Sequence, residues 1–116
     1  MVVVGDGGFL FNVQELATAV QHNIPVTIVL FNDNAYGNVR RMQMQRFGRL
    51  IASELRNPDF VRLADAFGMR GTRVEGPDGL RAALRESMRL DAPSLIEVPV
   101  GEMPDPWPIL TRFRTG

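Results

Sequence analysis

The sequence predicts an α/β domain built on a parallel sheet with helices on both faces. Two near-continuous apolar runs, residues 1–5 and 26–31, point to strands buried on both sides. A single helical stretch separates them, so they form a βαβ unit and hence a parallel pair. Strand and helix signals keep alternating over the rest of the chain, in the order β-α-β-α-α-β-α-β.

The first strand, Val2-Val3-Val4, runs into a turn carrying Gly5, Gly7 and Gly8. Because the chain opens inside an apolar run, a strand at this place is expected to sit mid-sheet, with further sequence upstream. A helix over about 10–22 places Val13, Leu16, Ala17 and Val20 on one face. Asn12 and Glu15, three positions apart, have the spacing of a capping box. Asn23 and Pro25 end this helix, and Val26 to Phe31 form the second strand.

The loop Asn32-Asp33-Asn34-Ala35-Tyr36-Gly37 follows, then a weakly amphipathic helix over about 38–47. Asn57-Pro58-Asp59 reads as an N-cap, a proline at the first helical position and an acid in the first turn. Phe60, Leu63, Ala64 and Phe67 form that helix's buried stripe, and Gly68 stops it. A short strand spans 69–74. Pro77-Asp78 opens a helix with Leu80, Leu84 and Met88 along one face, and Ser94 to Val98 form the fourth strand. The α/β domain is therefore placed at residues 1–100. A proline-rich tail, with Pro104, Pro106 and Pro108, is placed at 101–116.

The 116 residues are enough for one small core. Thirteen basic and thirteen acidic residues balance, which argues against nucleic acid as a partner. Cysteine is absent, so thiolate metal sites and disulfides are excluded; a reducing, cytoplasmic setting fits. No apolar run is long enough to span a bilayer, and Met1-Val2-Val3-Val4 has none of the features of a signal peptide.

Ligands of open α/β sheets bind beyond the carboxyl ends of the strands. Two loops leave such ends here, one with Gly5-Asp6-Gly7-Gly8 and one with Asn32-Asp33-Asn34. On neighbouring strands they bring Asp6 and Asp33 together. Paired carboxylates repel unless a cation shares them. Magnesium suits such a pair, because it takes one or two carboxylates and fills its other positions with water and phosphate oxygens. Gly7 and Gly8 let backbone N–H groups come close to an anion, and the following helix points its positive end the same way. The residues thus outline a magnesium–diphosphate site. Gly-Asp-Gly alone is a weak signal. Its weight comes from the 24 residues between Gly7 and Asn32, the length of one helix and one strand.

Gly5-Asp6-Gly7, this gap, and Asn32-Asp33 resemble the thiamine-diphosphate-binding motif of the acetolactate synthase, pyruvate decarboxylase and benzoylformate decarboxylase superfamily. The stretch from Asn12 to Pro25, Tyr36-Gly37, Asn57-Pro58-Asp59-Phe60, Leu63-Ala64 and Leu95 to Pro99 are similar to its acetolactate-synthase-like branch. The resemblance implies a partial thiamine-diphosphate-binding fold. It implies magnesium held by the carboxylates of Asp6 and Asp33 and the carbonyl of Ala35. The implied cofactor-binding set is Gly5, Asp6, Gly7, Gly8, Asn32, Asn34, Ala35, Tyr36 and Gly37, with Asn32 fixing the loop. The chain departs from the family's usual pattern at Asp33, where asparagine is usual, and at Gly8, where many members have serine.

The resemblance further implies that a pyrimidine-binding domain, with the glutamate that promotes ylide formation, lies outside this chain. No catalytic residue is then expected here, and the isolated chain is expected to be inactive. The implied partners are the rest of the same enzyme, further copies of it in a homo-oligomer, and a small 2-oxo acid. The competing reading is a non-catalytic, magnesium-dependent module with an acidic pocket, such as a receiver-like domain. Such a domain needs a lysine, and every basic residue here is arginine.

Other residues carry less. His22 suits a helix C-terminus better than catalysis. Arg40, Arg41, Arg46 and Arg49 read as a solvated face or a domain contact. Met42, Met44 and Phe47 read as core packing, and Tyr36 as packing for its loop. Trp107 belongs to a tail that either docks on another subunit or is disordered.

Overall fold

The strand boundaries fall close to those the apolar runs predict. The computed structural model describes residues 1–105, 107 and 108. Its elements are β1 (Val2–Gly5), α1 (Asp6–Leu10), α2 (Glu15–Gln21), β2 (Thr27–Asn32), α3 (Gly37–Phe47), α4 (Phe60–Ala66), β3 (Arg70–Arg73), α5 (Gly76–Ser87) and β4 (Ser94–Pro99). All three strand pairings are parallel, in the order β1-β2-β4-β3. Residues 106 and 109–116 of the expected tail lie outside the described residues.

The alternation of β2 and β4 divides the core between two faces. Ile28, Leu30 and Leu95 meet Phe9, Leu16, Ala19, Phe60, Ala64 and Met69 on the side of α1, α2 and α4. Val29, Ile96 and Val98 meet Val74, Ala83, Leu80 and Leu84 on the side of α5. Helices therefore cover both faces, as the apolar runs of β2 and β4 require.

In this chain β1 is the edge strand of the sheet and leaves Val2 and Val3 exposed, so the expectation of a mid-sheet place for it stays untested. Several local expectations are corrected. No flexible glycine turn follows β1. The chain enters α1 directly at Asp6, so Gly7 and Gly8 are helical, and a second helix, α2, starts only at Glu15. The Asn12–Glu15 box does not form. Gln14 is the N-cap of α2 without a side-chain bond, and Glu15 accepts from Thr18 instead, at 3.2 Å.

Asn57 does not cap α4 either. Asp59 does, its Oδ1 accepting from the N–H of Val61 at 3.0 Å and of Arg62 at 3.1 Å. The helix starts one residue after Asp59, so Asn57 and Pro58 lie before it. Gly68 does end α4, in the left-handed conformation at φ 78°. Met88 is exposed rather than on the buried stripe of α5.

Helix α3 buries no residue. Met42, Met44 and Phe47 are exposed, contrary to their reading as core packing. Met44 and Phe47, three positions apart, share one side of α3, while Met42 points to another.

Asp59 supplies a test of this local structure. Its carboxyl is held below the usual aspartate value, first by the Arg62 N–H, with Arg73 adding attraction. A depressed folded pKa means the unfolded chain binds more protons, so this stability is present above the unfolded value of 3.8 and is lost as pH falls through the lower folded value. Asp59→Ala should lower the urea midpoint at neutral pH. The difference from wild type should shrink in acid. A difference that holds constant down to the acid end would show that the charge of Asp59 does not stabilise the cap.

Candidate functional site

The two carboxyl-end loops predicted to meet do meet. β1 pairs with β2 in a register that sets Gly5 beside Phe31, so Asp6 and Asp33 emerge next to each other. Asp6 is almost fully buried, at 2% exposure. Its Oδ1 accepts from the Gly7 N–H at 2.8 Å, and its Oδ2 from Asn57 Nδ2 at 2.5 Å. The Gly7 N–H, expected to face an anion, is thus given to Asp6. The other first-turn N–H groups of α1 have no side-chain cap.

Asp33 is half-buried. Its Oδ1 accepts from the Ala35 N–H at 3.2 Å. Its carboxyl is pushed above the usual aspartate value, first by burial and then by the charge of Asp6; the backbone N–H of Ala35 acts the other way. Two carboxylates forced together, one nearly out of water, form an arrangement that a shared divalent cation relieves. Among the described residues no cluster of three or more His, Cys, Asp or Glu stands ready for a metal. Asp6 and Asp33 could hold a hard divalent cation such as magnesium between their two carboxylates, with carbonyl oxygens of the loops nearby.

The loop after β2 is shaped tightly. Asn32 Oδ1 accepts from the Asn34 N–H at 3.2 Å, and Asn34 takes the left-handed conformation at φ 56°, which asparagine tolerates. An isolated antiparallel bridge sets Ala35 beside Glu54. It uses the Asn34 carbonyl, which accepts from Leu55 at 2.8 Å, and the Tyr36 N–H, which donates to Ser53 at 2.9 Å. Neither bond uses the Ala35 carbonyl.

Two glycines lie close against side chains of the site. A Cβ on Gly7 would lie 2.7 Å from Cε1 of Tyr36, and one on Gly37 would lie 2.8 Å from Oδ2 of Asp33. Tyr36 thus packs over the first loop, and Gly37 leaves room for the Asp33 carboxylate. A cleft of about 480 Å³ opens here, lined by Gly5, Asp6, Gly7, Gly8, Asp33, Ala35, Tyr36 and Gly37, with Val3, Val39, Arg41 and Met103 among its walls. Asn32 and Asn34 are not among the lining residues; Asn32 is buried behind the loop.

Of the arginines singled out, Arg41 lines the cleft and donates to the carbonyls of Met103 at 2.7 Å and Pro104 at 3.2 Å. Arg46 lies over its neighbour Phe47, 5.9 Å from the ring centre. His22 is the C-cap of α2, away from the cleft.

Sequence reading missed three residues. Asn57 reaches Asp6 and also donates to Asn32 Oδ1 at 2.9 Å. Asn32 Nδ2 in turn donates to Glu97 Oε1 at 2.9 Å, and Arg73 Nε to Glu97 Oε2 at 2.8 Å. One signal was visible: Glu97 is a charge inside the apolar strand β4. Asn57 gave none, because its cap-like setting already accounted for it.

Asp33 carries a second test. Because its folded pKa is raised, the folded chain binds more protons than the unfolded one, and stability falls as pH rises from 3.8 through the folded value. Without metal, Asp33→Asn should therefore be more stable than wild type at neutral pH. The gap should close as the pH is lowered into that window. Equal urea midpoints at neutral pH would show that the Asp6–Asp33 repulsion has no weight.

Comparison with known proteins gives the family of the chain and the likeness of its fold. The sequence model of the family described as "Thiamine pyrophosphate enzyme, C-terminal TPP binding domain" matches residues 1–98. The chain is similar to the acetolactate synthase of Bacillus subtilis (strain 168), with 43% identity over 98 residues, covering 84% of this chain and 17% of that protein. It is also similar to the acetolactate synthase isozyme 2 large subunit of Escherichia coli (strain K12), with 36% identity over 112 residues, 93% of this chain and 20% of that one. In three dimensions it resembles the thiamine diphosphate-dependent 4-hydroxybenzoylformate decarboxylase of Rhodococcus jostii RHA1, with TM-score 0.81 and 32% identity over 87% of this chain and 19% of that one. It likewise resembles the benzoylformate decarboxylase of Polynucleobacter necessarius, with TM-score 0.82 and 28% identity over 89% and 20%. The chain thus spans about a fifth of the length of these relatives. With a matching family model along residues 1–98 and the same parallel α/β fold, the chain belongs to the C-terminal thiamine-pyrophosphate-binding domains of thiamine-pyrophosphate enzymes.

Proposed function

We propose that this chain holds magnesium and the diphosphate of thiamine diphosphate within an enzyme that decarboxylates or carboligates 2-oxo acids. The observation that carries the reading is the pairing of the buried Asp6 with Asp33 at the carboxyl end of the sheet, with Gly37 leaving space at the second carboxylate. Asp6 and Asp33 supply the side-chain ligands and Ala35 its carbonyl. The backbone around Gly5, Gly7 and Gly8 meets the diphosphate. Tyr36 and Gly37 shape the rest of the pocket, Asn34 makes the turn of the second loop, and Asn32 braces it from behind.

Thiamine diphosphate, when bound, supplies carbanion chemistry; the protein binds and orients it. These residues hold the anionic end and give no group that moves a proton at the reacting carbon. The pyrimidine end and its glutamate belong to other parts of the enzyme, so the isolated chain is inactive. By the family resemblance the active site forms between subunits, so the working form is a homo-oligomer; the absence of cysteine fits a cytoplasmic setting. No helix among the described residues is long and apolar enough to cross a membrane.

Calorimetric titration with thiamine diphosphate tests this directly. Binding should appear with Mg2+ and vanish with EDTA. Binding that ignores EDTA would overturn the assignment of the site to these two loops, as would the absence of Mg2+-dependent binding in the whole enzyme, where the pyrimidine-binding domain is present.

A further inference from the structure

We infer that Asn57 is a positioning residue for the metal site, and that the Arg73–Glu97 pair, on the far strands of the sheet, sets the direction in which it acts. This rests on Asp6 being a magnesium ligand. The observation is a continuous chain of hydrogen bonds across the carboxyl end of all four strands. Arg73 and Glu97 are register partners on β3 and β4. Asn32 ends β2, and Asp6 follows β1. Asn57, in the segment before α4, closes the last gap.

The polarity of the chain is forced from one end. Glu97 is 2% exposed and ion-paired to Arg73 Nε at 2.8 Å. A carboxylate only accepts hydrogen bonds. Asn32 must therefore turn its NH2 group toward Glu97, at 2.9 Å, and its carbonyl oxygen the other way. That oxygen only accepts, so Asn57 must turn its NH2 group toward it, at 2.9 Å. The second hydrogen of the same NH2 group then falls on Asp6 Oδ2, at 2.5 Å. Flipping either amide would set oxygen against oxygen. Asn57 thus spends both hydrogens on the site, one on the ligand Asp6 and one on the residue that braces the second loop.

With Gly7 N–H on its other oxygen, Asp6 is held at both ends before any cation arrives. Partners of this kind orient metal ligands, and losing one typically weakens metal affinity about 10–100-fold. Neither Asn57 nor Glu97 touches the cleft, so their effect reaches the metal through Asp6 and Asn32.

The test is a titration of the 15N-labelled chain with Mg2+ alone, followed by amide spectra. In wild type without metal, the Asn57 side-chain NH2 pair should exchange with water more slowly than that of exposed Asn12, and should shift as Mg2+ binds. Asn57→Ala should weaken Mg2+ binding about 10–100-fold with the backbone spectrum otherwise kept. Glu97→Gln offers one acceptor where two are needed. It should move the Asn57 NH2 signals and weaken Mg2+ as well. A folded Asn57→Ala chain with wild-type affinity overturns the positioning role and leaves the site standing. Should the variants not fold, free exchange of the wild-type Asn57 NH2 pair overturns it equally. No Mg2+ response at all in wild type overturns the site, and this role with it.

Discussion

Replacing Asp6 with alanine should abolish magnesium-dependent binding of thiamine diphosphate, with affinity falling by more than about 100-fold, beyond the usual cost of losing an outer partner. The carboxylate is nearly buried, accepts two N–H groups, and faces Asp33. Removing it leaves one carboxylate for a doubly charged cation, in a pocket that also receives an anionic diphosphate. The metal-free chain should stay folded. The orphaned Asn57 donor costs about 1–3 kcal/mol, against an ordinary domain stability of about 5–15 kcal/mol. The loss of Asp6–Asp33 repulsion offsets part of that. Circular dichroism should therefore match wild type while the calorimetric signal disappears. Retained binding in a folded Asp6→Ala chain would remove Asp6 from the ligand set.

The second large effect is on stability. Phe60→Ala should cost about 3–5 kcal/mol, the usual range for emptying a buried aromatic site. Phe60 is completely buried at the start of α4, and its ring meets Phe9 edge-to-face at 5.7 Å. Phe9 lies in α1, three residues after Asp6. The same ring pair therefore joins the core to the site: it fixes α1 below Asp6, and α4 just after Asn57. Urea denaturation should show a large drop in midpoint, and thiamine diphosphate binding should weaken even where the chain is folded. A loss under about 1 kcal/mol would mean the surrounding side chains collapse into the space, contrary to the close packing expected of such a core.

Much of this was legible in the residues. Unbroken apolar runs admit few arrangements other than strands covered on both sides, so β2, β4 and the parallel sheet followed from composition and order. The Asp6 and Asp33 loops followed too, because one βαβ step sets neighbouring strand ends side by side. Local signals were less dependable where more than one residue suited the same task. Asn57 and Asp59 are both good caps two positions apart. The choice fell to Asp59, because Arg73 on β3 lies beside it at 3.1 Å and because Asn57 is drawn to Asp6 and Asn32. Gly7 and Gly8 suit a loose turn as well as a tight helical one. Tyr36, from another loop, occupies the space a side chain on Gly7 would need.

The sequence by itself determined the fold class and the two carboxylates of the paired-loop site, since hydrophobic periodicity and the length of a βαβ unit are properties of the chain read locally. The tertiary structure alone decided how those carboxylates are held. Residues 51 positions apart, Asn57 and Asp6, and 65 apart, Asn32 and Glu97, share hydrogen bonds. Such partners are chosen by which strands lie adjacent and which buried polar groups must be satisfied, and no local pattern records that choice.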